Sequence, residues 1–332
     1  MVDKGNKAVR WCLMGMGCLL ALNLAGPLAK ILSAPEVAAM VLYLETGRVV
    51  KMQLTPPVET ASPETLPPAT QPEEKALEFQ GEDSSLVRVS YHWDCQLDTQ
   101  AMLLSELRWD LKEPEPKVLI LHSHATESYT QTPSEPYEAS SSYRTLDPDH
   151  NMLRVGAALK EALEARGIGV IHDTTLHDYP DYTDAYIRSR ETVQGYLEQY
   201  PEICLVLDLH RDAAELAGGG QLSTEAAVDG NTAAQLMLVV GSNAGGRTHP
   251  QWRENMALAV KLHTQLEKRY PGLCRPISLR TERFNQDLCP GTLLVEVGAA
   301  GDTLEKALAA VEALAEGIGD LALGTVTEGS TS

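Results

Sequence analysis

Apolar and polar positions change rhythm several times along the chain. Trp11 to Ala29 is nearly unbroken apolar sequence, interrupted only by Asn23 and Pro27, and it follows a flank carrying Lys4, Lys7 and Arg10. About 20 apolar residues span a bilayer core. The basic flank favours the cytoplasmic side. Residues 1–32 are therefore expected to be a single-pass signal-anchor that leaves the rest of the chain outside the cytoplasm, with a cleaved signal peptide as the alternative. Residues 33–52 stay apolar enough for a juxtamembrane helix or strand. Residues 53–80 are rich in Pro, Glu, Thr and Ser and lack the apolar surface to offset ordering entropy, so they read as a tether. Residues 81–116 form a lead-in, with Tyr91-His92-Trp93 placed on a strand.

From Lys117 strand-length apolar runs alternate with helical periodicity. Val118–Leu121, Ile168–Ile171, Ile203–Leu209, Leu236–Val240 and Leu293–Val297 read as buried strands. Val155, Ala158, Leu159, Ala162 and Leu163 follow the spacing of an amphipathic helix that Gly167 ends. Further helices are expected over 183–199 and 251–269, and from an N-cap at Asp302 to about Leu321. Continuous apolar strands alternating with helices predict an α/β domain over 117–325, with a mostly parallel sheet covered by helices on both faces. Residues 326–332 read as a disordered tail.

Composition narrows the function. The 332 residues include 46 acidic and 27 basic side chains, a formal net charge of −19. Such a chain is a poor partner for a phosphate backbone, so no nucleic acid is expected. The six cysteines contain no CxxC pair, which argues against a cysteine-rich zinc module. Cys204 lies in an apolar run and reads as core, while a Cys274–Cys289 bridge is compatible with an extracytoplasmic site.

Reactive residues of open α/β sheets gather beyond the carboxyl ends of strands. Three polar clusters fall there: His122-Ser123-His124-Ala125-Thr126-Glu127, Asp208-Leu209-His210-Arg211-Asp212, and Glu296. Two imidazoles and a carboxylate suit Zn2+, and catalytic zinc sites keep one position open. His124, Glu127 and His210 are the expected ligands, with Glu296 as general base and acid. Each has a duller reading. His122 competes with His124, and Asp208 competes with Glu127. Glu127 could cap a helix, His210 could be a structural hydrogen-bonder, and Glu296 could be ion-paired with Arg211 or Arg283. His172-Asp173 and His177-Asp178 read as loop or supporting residues, and His249 and His263 as surface or loop residues.

At these positions the sequence resembles the stage II sporulation protein P family. The resemblance rests on His122-Ser123-His124-Ala125-Thr126-Glu127-Ser128-Tyr129, Asn151-Met152, Asp208-Leu209-His210-Arg211-Asp212, Val240-Gly241-Ser242-Asn243, Trp252-Arg253-Glu254-Asn255, Arg283 to Leu288 and Leu294 to Gly298. It spans most of 117–320. It implies an amidase_3-like fold and a zinc-dependent N-acetylmuramoyl-L-alanine amidase. Such an enzyme acts on peptidoglycan, with endopeptidase activity besides, in septal wall thinning and engulfment during sporulation. It implies the cell membrane on the mother-cell side of the septum, and stage II sporulation proteins D and M as partners. His124 and His210 match the family's metal histidines and Glu296 its catalytic glutamate; Glu127 is matched through a short motif. Arg211 or Asn285 is expected to steady the oxyanion or substrate carboxylates, and Arg211, Arg280 and Arg283 to make the cleft cationic. His122 is a further substrate-contact candidate. Asp302, Lys306 and Phe284 depart from the family pattern. A zinc peptidase confined to stem peptides and a non-catalytic wall-binding module are the competing functions.

Overall fold

The computed structural model describes residues 75–78, 83–105, 111 and 115–323. The expected anchor, the juxtamembrane segment, most of the tether and the tail lie outside the described residues. Among the described residues no helix is long and apolar enough to cross a membrane.

The strands are β1 (Lys75–Glu78), β2 (Arg88–Tyr91), β3 (Pro116–Leu121), β4 (Gly169–His172), β5 (Leu205–Asp212), β6 (Ala226–Val228), β7 (Asn231–Ala233), β8 (Leu236–Gly241), β9 (Ile277–Arg280) and β10 (Thr292–Ala299). The α-helices are α1 (Thr99–Leu104), α2 (Met152–Glu164), α3 (Ala185–Gln199), α4 (Trp252–Arg269) and α5 (Leu304–Leu323). Eight strands form one sheet in the order β1-β2-β9-β8-β10-β5-β3-β4, and β6 and β7 form a separate hairpin. Only the β1–β2 and β8–β10 pairings of the large sheet are antiparallel. The α/β class with a mostly parallel sheet is therefore as expected.

Strand alternation assigns the two faces. Leu205, Leu207 and Leu209 of β5, Val118 and Ile120 of β3, and Leu293, Val295 and Val297 of β10 join one large cluster with residues of α2, α4 and α5. The alternate positions Leu119, Leu121 and Val206 join a smaller cluster with Val193 of α3. Burying each large aliphatic side chain contributes about 1.5–3 kcal/mol. Asp208 and His210 continue the Val206 side of β5, and Glu296 is likewise out of phase with Val295 and Val297. The polar residues thus fall on the α3 side, beyond its small apolar cluster.

Connectivity opens a crevice there. β3 reaches β4 through α2 on one face, and β4 returns past β3 to β5 through α3 on the other. A reversal of this kind leaves a gap at the carboxyl ends of β3 and β5.

Some elements escaped the hydrophobic pattern. β2 and β9 pair in parallel and carry the sheet beyond the expected core, so the lead-in is part of the same sheet. β1 lies at the end of the stretch expected to be a tether and pairs with β2. The β6–β7 hairpin turns at Asp229-Gly230, both with positive φ (48° and 81°), a dipeptide suited to that turn. Asp302 is not the cap of the last helix. It is fully buried and accepts from Ser223 Oγ (2.8 Å), Thr224 N (2.8 Å), Thr224 Oγ1 (2.9 Å) and Ala299 N (2.9 Å), fastening the loop after β5 to the end of β10. The Cys274–Cys289 bridge that the sequence left open does not form: both are free, and they sit in different clusters. His249 and His263 are buried, not surface residues.

Gly291 leads into β10 at φ 98°, and a Cβ there would lie 2.2 Å from the Cys204 carbonyl oxygen. Gly291→Ala is expected to cost about 1–3 kcal/mol through overpacking, with left-handed strain in addition. Urea unfolding of the variant beside the parent checks this.

Candidate metal centre

The end of β3 turns sharply, and Glu127 N donates to His124 O (3.2 Å). That turn brings both side chains toward the end of β5, where His210 lies. Among the described residues, His124, Glu127 and His210 form a buried group whose ligand atoms all lie within 4.8 Å of one another. Tetrahedral ligands about 2.1 Å from zinc would lie roughly 3.4 Å apart. His210 Nδ1 and Glu127 Oε2 are 3.4 Å apart. The donor set and its spacing therefore fit a zinc-sized divalent cation.

Each ligand is held by a second residue. His210 Nε2 bonds Asp208 Oδ1 (2.9 Å), which leaves Nδ1 toward Glu127. Asp208 is fixed in turn by Ser123 N (2.8 Å) and Ser123 Oγ (2.6 Å). Asp208 thus orients His210, and it is Glu127 that joins the two histidines in the group. Arg211 N donates to Glu127 Oε2 (3.4 Å), and Arg144 Nη2 donates to Oε1 (3.4 Å). Asp178 binds Arg144 Nη1 (2.7 Å) and Thr126 Oγ1 (2.5 Å), tying down the same turn. Tyr182 stacks on His124 at 4.6 Å with 6° between planes, and Arg144 lies 4.7 Å from the same Tyr182 ring.

Electrostatics suits the assignment at His124 and Glu127, whereas His210 would have to give up a proton to a cation. Burial, reinforced by His210 and Arg144 against the pull of Glu127, lowers the His124 pKa to about 3, so this imidazole is neutral. A neutral imidazole is the form that binds a metal. Burial opposes charge on Glu127, but Arg211, His210 and Arg144 outweigh it and hold the carboxyl below its ordinary range. Burial also opposes charge on His210, yet Asp208 and Glu127 raise its pKa well above the usual imidazole value.

Glu296 is the register partner of His210 across the parallel β5–β10 pair. Parallel partners project to the same face. Its Oε2 is buried without a hydrogen-bond partner. Burial, Asp212 and Glu127 push its pKa up to about 8 against His210 and Arg211. The ion pairs considered for it do not form: Arg211 faces Glu127 (3.9 Å), and Arg283 binds Asp287 (3.1 Å).

Other expected site residues are engaged elsewhere. His122 is fully buried, with Nδ1 on Leu209 O (3.1 Å) and Nε2 on His172 Nε2 (2.9 Å), so it contacts no substrate. His177 supports the same turn through His122 O (2.9 Å). Arg211 is buried, donating to Ser128 O (3.0 Å) and Tyr143 O (2.9 Å); it positions Glu127 and is not free to steady an oxyanion. Asn285 Nδ2 donates to Tyr186 O (2.8 Å) and Ser189 Oγ (3.2 Å), bracing α3. Arg280 ends β9, which runs antiparallel to β10 through β8, so it lies toward the opposite end of the sheet from Glu296. Arg144, Tyr182 and Tyr186 were missed. They come from a polar loop and the start of a polar helix, where no periodicity marks them.

Two outcomes follow from this geometry. Asp208→Asn is expected to weaken zinc binding about 10–100-fold in competition with a chromophoric chelator, and His210→Ala more severely. In metal-free protein, Glu296 keeps its proton when folded up to about pH 8, whereas the unfolded chain loses it near the ordinary value of 4.5. The folded state then binds more protons across that window, so its stability falls as pH rises, by at most about 1.4 kcal/mol per pH unit. Glu296→Gln removes that slope, which urea titrations from pH 5 to 9 would read.

Comparison with known proteins adds the lineage. A family model described as Stage II sporulation protein P matches residues 44–319. Stage II sporulation protein P of Bacillus subtilis (strain 168) is 29% identical over 213 residues, covering 60% of this chain and 49% of that protein. The chain spans about half the length of this curated relative. Distant likenesses occur among solved structures. N-acetylmuramoyl-L-alanine amidase AmiC2 of Nostoc punctiforme is 10% identical with a TM-score of 0.37, covering 64% of this chain and 97% of that one. The N-acetylmuramoyl-L-alanine amidase from Clostridium difficile 630 is 15% identical with a TM-score of 0.35, at the same coverages. The family match takes in well over half of the sequence and every residue of the metal-type cluster, so the chain belongs to the stage II sporulation protein P family.

Proposed function

We propose that this chain is a zinc-dependent hydrolase of peptidoglycan that cleaves the amide between N-acetylmuramic acid and L-alanine. The observation that carries the reading is the buried His124–Glu127–His210 group with the unpaired Glu296 carboxyl on the neighbouring strand. Membership of a sporulation family supports the biological setting. The motif resemblance supports the bond cleaved and a second, endopeptidase activity on cross-links.

His124, Glu127 and His210 would hold the cation. Zinc, when bound, polarises a carbonyl and makes a water molecule more acidic. The protein's own groups do the rest. Asp208 keeps His210 oriented, and Arg144 and Arg211 keep Glu127 ionised and in place. Glu296 takes a proton from the attacking water and returns one to the departing alanine nitrogen. A carboxyl whose pKa lies near neutrality serves both steps. Residues 1–32 would hold the enzyme in the membrane, facing the septal wall, where proteins D and M of the same sporulation stage would meet it.

Digestion of purified murein with mass spectrometry of the products tests the reading. Free muramic ends and peptides starting with L-alanine are expected, and Glu296→Gln should slow their release by about 10²–10⁴-fold. Shortened stem peptides with intact muramyl amides would make the chain a peptidase instead.

A further inference from the structure

Tyr186 packs its ring against both histidines of the cluster, and the reaction outlined above gives it no task. It is the second residue of α3. Its ring stands edge-on to His124, with centroids 5.4 Å apart and planes at 83°, and lies nearly parallel to His210 at 6.4 Å and 11°. Phe284 packs on it at 6.0 Å.

The hydroxyl is the informative atom. After burial, the groups that act on it are the carboxylates of Asp208, Glu296 and Glu127, which places it in the field of the reaction centre. No described residue hydrogen-bonds to it, whereas the buried Tyr129 hydroxyl donates to Val297 O (2.8 Å) and the Tyr137 hydroxyl to Tyr129 O (2.6 Å). The ring is half-buried, so its hydroxyl can be reached by a molecule bound over the cluster. A phenol without a partner among the described residues, in the field of the same carboxylates, is available to donate to such a molecule.

The backbone behind it is fixed in advance. Asn285, itself in the left-handed region at φ 57°, donates to Tyr186 O (2.8 Å). One turn further, Arg190 grips Asp287 with two bonds of 2.9 Å. The loop carrying Asn285 and Asp287 is anchored to β8: Gln286 Oε1 accepts from Gly241 N (2.7 Å), and Gln286 Nε2 donates to Val239 O (2.9 Å). A donor held this way needs no reorganisation when charge appears, which is the condition for transition-state stabilisation.

We propose that Tyr186 is a further catalytic residue, whose phenol donates a hydrogen bond to the scissile carbonyl oxygen as that oxygen gains negative charge. This rests on the amide-hydrolase reading. In the step concerned, the water oxygen forms a bond to the carbonyl carbon and the carbonyl π pair moves onto oxygen. Glu296 receives the water proton, and Tyr186 keeps its own. A neutral donor suits the place, because it adds no charge that the neighbouring carboxylates would neutralise.

The test compares zinc-loaded parent and Tyr186→Phe chains on a soluble muramyl-peptide. The expected result is a kcat lowered by roughly 10²–10³-fold at unchanged KM, with zinc content and melting temperature as in the parent, since the ring is retained. A phosphinate analogue of the tetrahedral state should lose affinity in parallel, a readout independent of turnover. Unchanged kcat and unchanged phosphinate binding in Tyr186→Phe, with an active parent, would overturn this proposal alone. A shifted pH profile with an undiminished plateau would also overturn it, assigning the hydroxyl to Glu296. A parent that releases no muramyl-amide product would remove the hydrolase reading and this proposal together.

Discussion

Parallel pairing of β5 with β10 sets the reactive geometry. His210 and Glu296 are register partners, so the pleat turns both to the same face at neighbouring strand ends. A slip of one residue would send Glu296 into the large apolar cluster, where Val295 and Val297 already sit. The apolar alternation of β10 therefore specifies the register and, through it, the placing of Glu296 beside His210.

A second constraint is electrostatic. A buried carboxylate is costly unless it is paired. Glu127 is paired with Arg211 and Arg144, which keep it ionised. Glu296 lacks an arginine partner, and its pKa rises. The two glutamates are thereby pushed in opposite directions, Glu127 toward the ionised form and Glu296 toward the protonated one. Of the arginines expected to make the cleft cationic, Arg211 is spent on Glu127 and Arg283 on Asp287, beside Arg144 and Arg190 on the same two acids. In a chain with net charge −19, local positive charge stabilises the site's architecture more than it recruits an anionic substrate.

Hydrogen bonds connect the two walls of the crevice. Asn285 donates to Ser189, Ser189 meets Ser123 (2.8 Å), Ser123 donates to Asp208, and Asp208 bonds His210. The chain runs from the loop before β10, through α3, to the end of β3 and back to β5. Serines at 123 and 189 are small enough to be enclosed, and their hydroxyls can donate and accept at once. The orientation of one imidazole is thus shared by four segments of the polypeptide.

Periodicity along the chain was enough to locate β3, β4, β5, β8, β10 and the four longer helices, because buried strands and amphipathic helices must repeat their apolar residues at fixed intervals. It also placed His124, Glu127, His210 and Glu296 at strand ends, where polar residues interrupt apolar runs. β9 was hidden and β2 was met only at its last residue, Tyr91, because Arg88–Tyr91 and Ile277–Arg280 are short and mix apolar with polar residues. The roles of Arg211, His122, Asn285 and Asp302 had no local signal either, since a side chain's task depends on which distant backbone carbonyls, amides and carboxylates come within about 3 Å of it. Local sequence fixes the elements and the chemical types it can offer. Which imidazole turns inward to a second histidine, which carboxylate meets an arginine, and that Tyr186 stands between two histidines are decided only when the strands pair and α3 closes over them.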